Sequence, residues 1–378
     1  LECGTQATGG NFSFFRELPD GGRHPGFPIA EIGADGSAVI TKHGGTGGAV
    51  TVETVTAQLL YEIGSPAYLG PDVVLHLDSL RLNQSGRDRV TITGAHGSPP
   101  PPTLKVGVNT LDGYRNAMTF VLTGLDIEAK AALVRDQLTA AVGPEGLEFD
   151  LARVDRPDAP STRQASALLT AHLRDADQSR AGRAFSAAAV ELALGSYPGC
   201  FLTTPPGDAT PVGVFTAASV PQEVVRHEAV LPDGTHVVIP PPATVAPEPL
   251  SVKAFSASTP LPAGPTRRVP LGTVAGARSG DKGGDANLGV WVRDPAAHRW
   301  LAEFLTVEKL RELLPETAAL EVERWPLPNL NAVNFVIHRL LGQGVAASTR
   351  FDPQAKALGE WLRSRVVPIP VALLGDAS

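Results

Sequence analysis

ARSGDKGGDANLGV, Ala277 to Val290, crowds four charged side chains among glycines and then turns apolar. Its reading decides the fold of the last third of the chain. Val269–Ala275 and Leu288–Val292 have the composition of strands, which leaves the charged residues in a loop between them. Glycines there would let successive N–H groups turn inward as an anion-binding nest. Arg278 and Lys282 would add positive charge for a carboxylate or phosphate, and Asp281 could hold the lysine or serve as acid and base. On this reading Asp281 and Lys282 are the candidate catalytic pair, with Ser279, Gly280, Asp285 and Asn287 lining the site. The bland alternative is a solvated hairpin with local ion pairs worth at most about 1 kcal/mol.

Downstream, Asp294-Pro295 supplies a cap and first position for one helix, and Thr306 caps a second. Strands follow near Leu320–Trp325 and Ala332–Ile337. A last helix is expected from Asp352-Pro353, with Leu358, Trp361, Leu362 and Val366 on one face. Four strands with helices on one side is the natural packing of residues 266–378. Upstream, a proline-rich stretch marks a linker at 246–265, because proline fixes its own φ and restricts the residue before it. Residues 1–245 then form a larger mixed domain, so the fold class is α+β or mixed α/β. Its signals are a hairpin at Asp35-Gly36, a Thr51-capped helix to about Ile63, and strands at Val73–Leu82, Arg89–Thr93, Leu104–Val108 and Thr119–Leu122. An Ala- and Leu-rich helix from Ile127 to Val142 stops at Gly143-Pro144. A strand near Leu147–Val154, a helix from about Ala181 to Leu194 and strands around Pro232-Asp233-Gly234 complete it.

A second glycine stretch, ITKHGGTGGAVTVETV, runs from Ile40 to Val55. A strand ending at Lys42-His43, then Gly44, Gly45, Thr46, Gly47 and Gly48, then a helix start, would cradle an anion. The lysine precedes the glycines, so the order is not that of a phosphate-binding loop. The alternative is a tight strand-to-helix turn. ATGGNF, residues 7–12, is a third glycine turn. Cys3 just before it has no evident activating base and reads as inert.

The chain is 43% hydrophobic and 19% charged, with a net charge of −7. That supports packed cores and disfavours nucleic acid, whose binding is driven by clustered Lys and Arg. No apolar run reaches the roughly 18 residues of a membrane span. Two cysteines far apart argue for reduced thiols and a cytoplasmic location. The nine histidines lack zinc-binding spacing, and no flavin or nicotinamide signature occurs, so neither a metal nor another cofactor is expected. The chain opens on LECGTQATGGNF, as though within a strand and loop, which leads us to expect that a preceding section is missing.

ECGTQATGGNF, the run from Gly26 to Val74 and RSGDKGGDANLGVWVR together resemble the acyclic terpene utilisation family, AtuA. The last resembles the start of that family's ferredoxin-like carboxy-terminal module, also found as a separate short protein. The resemblance implies a further N-terminal section of about 150–200 residues, a size typical of a domain. It also implies a place in bacterial breakdown of acyclic terpenes such as citronellol and geraniol, through acyl-CoA intermediates. The expected partner is therefore a small anionic substrate such as a CoA thioester, with self-association as a further option. One reading is an enzyme or enzyme subunit, with lyase or hydrolase chemistry on a branched acyl-CoA or carboxylate. The other is a non-catalytic binding or assembly module. An enzyme should bring residues 42–48 and 278–287 to one pocket; a scaffold should leave them apart and expose an apolar patch.

Overall fold

The computed structural model describes residues 4–246 and 264–375. Cys3 and nearly all of the proline-rich stretch lie outside the described residues. The chain forms two compact units, Leu1–Val108 with Thr216–Ser378, and Asn109–Phe215. That division differs from a split at the linker, and the C-terminal sheet supplies the reason.

Four antiparallel strands make that sheet, in the order Ala275–Lys282, Asp285–Val292, Ala332–Ile337, Val322–Leu327. Side chains alternate across it. Ala275, Ala277, Leu288, Val290, Val333 and Phe335 belong to a core shared with Trp300, Leu301, Leu310, Leu358 and Leu362. Those come from the helices Pro295–Phe304, Val307–Leu313 and Leu358–Ser364. Asp294 accepts from the N–H groups of Ala296 and Ala297, and Thr306 from that of Lys309, so both expected caps are present. The last helix begins later than Asp352-Pro353 implied. Asp352 instead binds the N–H groups of Lys356 and Ala357, at 2.9 and 2.8 Å, in the turn before it.

The opposite face of the sheet is covered by the upstream chain. Helix α1 (Val52–Leu59) carries a Thr51/Thr54 capping box. Leu60 and Ile63, just beyond it, pack with Phe12 and Leu18 against Trp291, Leu327 and Ala332. Each large apolar side chain buried here contributes about 1.5–3 kcal/mol, so neither segment is complete alone. The contact is close enough to dictate sequence: a Cβ at Gly289 would lie 2.6 Å from the Leu60 Cβ. Glycine therefore answers a demand for backbone approach.

The strands are also longer than expected. Lys282 pairs with Asp285, leaving only Gly283 and Gly284 as the turn, with Gly283 at φ +70°. The expected wide charged loop is thus a two-residue hairpin, and Arg278 to Lys282 lie on a strand.

Elsewhere in this unit, Pro28–Ile32, Ala38–Lys42, Arg89–Thr93 and Arg81–Gly86 form a second antiparallel sheet. In the other unit, residues Tyr114–Thr123 of the long strand Thr103–Thr123 pair with Ser166–Asp175, which pairs with Leu147–Ala152. Met118, Phe120 and Leu122 alternate toward helices Ile127–Val142 and Phe185–Gly195. The two short strands expected between Leu104 and Leu122 are one. The strands Ser166–Asp175 and Thr210–Pro221 had no counterpart in the sequence reading. No helix among the described residues is long and apolar enough to cross a membrane.

Candidate functional site

A cleft of about 710 Å³ opens beside the edge strand Ala275–Lys282. Its walls include Asn11, Ser13, Tyr61, Arg278, Lys356 and Glu360, with Phe12 and Phe15 as an apolar side. That volume lies within the roughly 300–1,000 Å³ of small-molecule sites.

Arg278 projects toward the α1 side of the sheet. Its Nη1 donates to the Asn11 carbonyl at 3.0 Å, and its guanidinium lies 4.9 Å from the Tyr61 ring centroid. Burial holds it below the usual guanidinium range. Glu360 and Glu62 oppose that through space, yet among the described residues no carboxylate forms an ion pair with it.

Lys356 is the opposite case. Its Nζ donates to Tyr61 Oη at 2.6 Å, Glu62 Oε1 at 2.5 Å and Asp281 Oδ1 at 3.2 Å. Burial works against its charge, but the hydrogen bonds to Glu62 and Tyr61 outweigh burial and hold its pKa above the ordinary lysine value. Desolvation pushes the Tyr61 hydroxyl upward as well. Glu62, at φ +57°, ends the turn after α1. It is anchored there by Asn287, which is 0% exposed. Asn287 Oδ1 accepts from Glu62 N–H at 2.7 Å, and its Nδ2 donates to the Leu60 carbonyl and to Asn334 Oδ1 at 3.1 and 2.5 Å.

Of the residues expected in the charged stretch, Arg278 and Ser279 line the cleft, and Asp281 meets it through Lys356. The others serve the fold. A Cβ at Gly280 would fall 2.6 Å from Glu62 Cγ. Asp285 binds His338 Nδ1 and the Arg339 N–H, at 3.0 and 2.8 Å, and Asn287 is internally saturated. Lys282 is exposed at the hairpin end, outside the lining of the cleft. Desolvation of its ammonium by surrounding chain, and then the Lys105 charge, hold it below the ordinary lysine value.

The 42–48 stretch contributes nothing to the lining of this cleft, so the expected shared pocket gives way. Lys42 is almost fully buried and donates to the Thr46 carbonyl at 2.8 Å, with Asp88 3.8 Å away. Thr46 Oγ1 donates to the His43 carbonyl, while His43, Gly44 and Gly45 are exposed. A Cβ at Gly47 or Gly48 would fall within 2.1 Å of the Arg23 or Thr8 carbonyl oxygen. These glycines make room for the chain of residues 8–25, whose Gly9 and Asn11 form a cleft wall.

Tyr61, Glu62, Lys356, Asn11 and Ser13 were not singled out in the sequence. The GGN of ATGGNF was the one signal, since Gly9 and Asn11 both take positive φ, +101° and +52°.

No curated protein and no solved structure matches the chain. A family model for the AtuA ferredoxin-like domain matches residues 269–368, the four-stranded sheet with its helices. A second, for acyclic terpene utilisation family protein AtuA, matches residues 1–231. Both matched segments supply walls of the cleft, and the second spans more than half of the 378 residues: the chain belongs to the acyclic terpene utilisation family AtuA.

Proposed function

We propose that the cleft binds a small anionic substrate of acyclic terpene breakdown, a branched carboxylate or its CoA thioester. The observation that carries this is Arg278, a desolvated guanidinium facing a cleft with no carboxylate among the described residues paired to it. Uncompensated charge of this kind is costly unless a ligand completes it. Phe12 and Phe15 offer the apolar side that a branched hydrocarbon needs. Tyr61 and Lys356 are the groups placed to hold or move a proton, which suits lyase or hydrolase chemistry. A second reading, an assembly module, draws on the hairpin His227–Val230/His236–Ile239, where Val230, Val238 and Ile239 are all more than half exposed.

The test is calorimetric titration and thermal unfolding with geranate and geranoyl-CoA. Arg278→Ala should lower affinity about 10- to 100-fold, the range for a charge-assisted hydrogen bond. Lys282→Ala and Lys42→Ala should leave affinity unchanged. Wild-type affinity in Arg278→Ala would overturn the anion site. No response of the wild type to either compound would favour the assembly reading.

A further inference from the structure

The floor of the cleft is a strand edge. Ala275–Lys282 is the outermost strand of its sheet, and in an antiparallel edge strand alternate residues direct N–H and C=O outward. Ala277 identifies which ones: its N–H and C=O both meet Ser13 Oγ, each at 3.0 Å. Two residues back, the Ala275 carbonyl accepts from Arg363 Nε at 2.9 Å. Two residues on, Ser279 directs the same pair of groups outward into the cleft. The Ser279 hydroxyl is occupied, accepting from Gly359 N–H at 2.9 Å and donating to the Lys356 carbonyl at 3.3 Å. Its main-chain N–H and C=O have no partner among the described residues, although the residue is only 1% exposed. Buried main-chain groups are almost always paired, so this pair calls for a partner.

We propose that the ligand of this cleft carries a secondary amide close to its anionic group, and that the amide pairs with Ser279 N–H and C=O as an added strand would. The proposal rests on the anion-binding reading for its location and adds the chemistry of the second contact. Ser13 closes the open edge at Ala277, and Lys356, bonded to the Asp281 side chain at 3.2 Å, flanks the Ser279 step on the other side, so the accessible ladder is short. A peptide strand would find too short a template, since strand addition draws its affinity from a run of main-chain hydrogen bonds. One amide suffices for an N-acyl amino acid or for the pantetheine arm of a CoA thioester, and these two sources share the chemistry.

Four probes with one acyl group separate the possibilities by calorimetry: 3-methylbutanoate, N-(3-methylbutanoyl)glycine, the ester O-(3-methylbutanoyl)glycolate, and 3-methylbutanoyl-CoA. The glycine conjugate or the thioester should bind at least about fivefold more tightly than the free acid, as one net hydrogen bond allows. Whichever does so identifies the source. The glycolate ester, which lacks the N–H, should lose that gain, and amide exchange at Ser279 should slow only with an amide-bearing probe. An ester as tight as the amide, or amide probes no tighter than the free acid, would overturn the amide contact and leave the anion site standing. Binding of none of the four would remove both.

Discussion

Replacing Asn287 by alanine separates a ligand-binding role from a structural one. The side chain is fully buried and makes three hydrogen bonds, to Glu62 N–H, the Leu60 carbonyl and Asn334 Oδ1. Truncation orphans two main-chain groups, the buried Leu60 carbonyl and the partly buried Glu62 N–H, and each such group costs about 1–2 kcal/mol. It also leaves Asn334 half-satisfied, although that amide keeps its bond to the Gly64 carbonyl at 2.7 Å. The expected loss is about 3 kcal/mol, read as a lower urea midpoint for the unit containing the sheet. Because the same bonds fix Tyr61 and Glu62, affinity for geranate should fall in the same variant. Asn287→Asp keeps the acceptor but loses both donors and buries a charge, so it should be no more stable. A loss under about 1 kcal/mol together with abolished binding would refute the reasoning. It would mean that Asn287 faces a ligand rather than the helix end.

Gly289→Ala should destabilise by about 1–3 kcal/mol, the usual cost of overpacking, because its Cβ would fall 2.6 Å from that of Leu60. Gly64→Ala, with nothing within 4 Å of its Cβ, is the control; equal urea midpoints would remove the close-approach argument. His338 gives a pH signature. Burial alone would lower its pKa, but Asp285 at 3.0 Å and Glu323 at 3.3 Å raise it above the ordinary 6.5. A folded-state pKa above the unfolded one means the stabilisation is complete below about pH 6.5 and is lost as pH rises through the folded value. Urea midpoints should therefore fall over that window in the wild type, and His338→Gln should flatten this part of the profile.

Elements governed by neighbours in the chain were legible in the sequence. Arg89–Thr93 follows from alternation, Ala332–Ile337 from a nearly continuous apolar run, and Ile127–Val142 from its Ala- and Leu-rich run and the Gly-Pro stop. The charged hairpin was misread because glycine and charge are local signs of a loop. Its strands pair with each other and pack against α1 and Leu60, a contact some 225 residues away in sequence at Asn287–Glu62. The site suffered the same limit. Lys356 and Tyr61 are separated by 295 residues, and Lys356 lies in a segment read as regular helix. Only Asp352, whose carboxylate holds the turn open at Lys356, distinguishes that segment, and Asp-Pro is also an ordinary helix start.

Glycines on alternate strand positions admit two explanations that a sequence alone does not separate: a ligand against the backbone, or another part of the protein. Here the space beside the glycines goes to the protein itself. Gly280, with Gly289 on the neighbouring strand, gives its space to Glu62 and Leu60, whereas Arg278 and Ser279 line the cleft. The consequence reaches the family pattern itself. Arg278 and Lys356 lie in the segment matched as the ferredoxin-like domain, while Asn11, Ser13 and Tyr61 lie in the other matched segment. Arg278 stacks on Tyr61, and Ser13 closes the edge beside it. In this chain both matched segments therefore supply walls of the cleft.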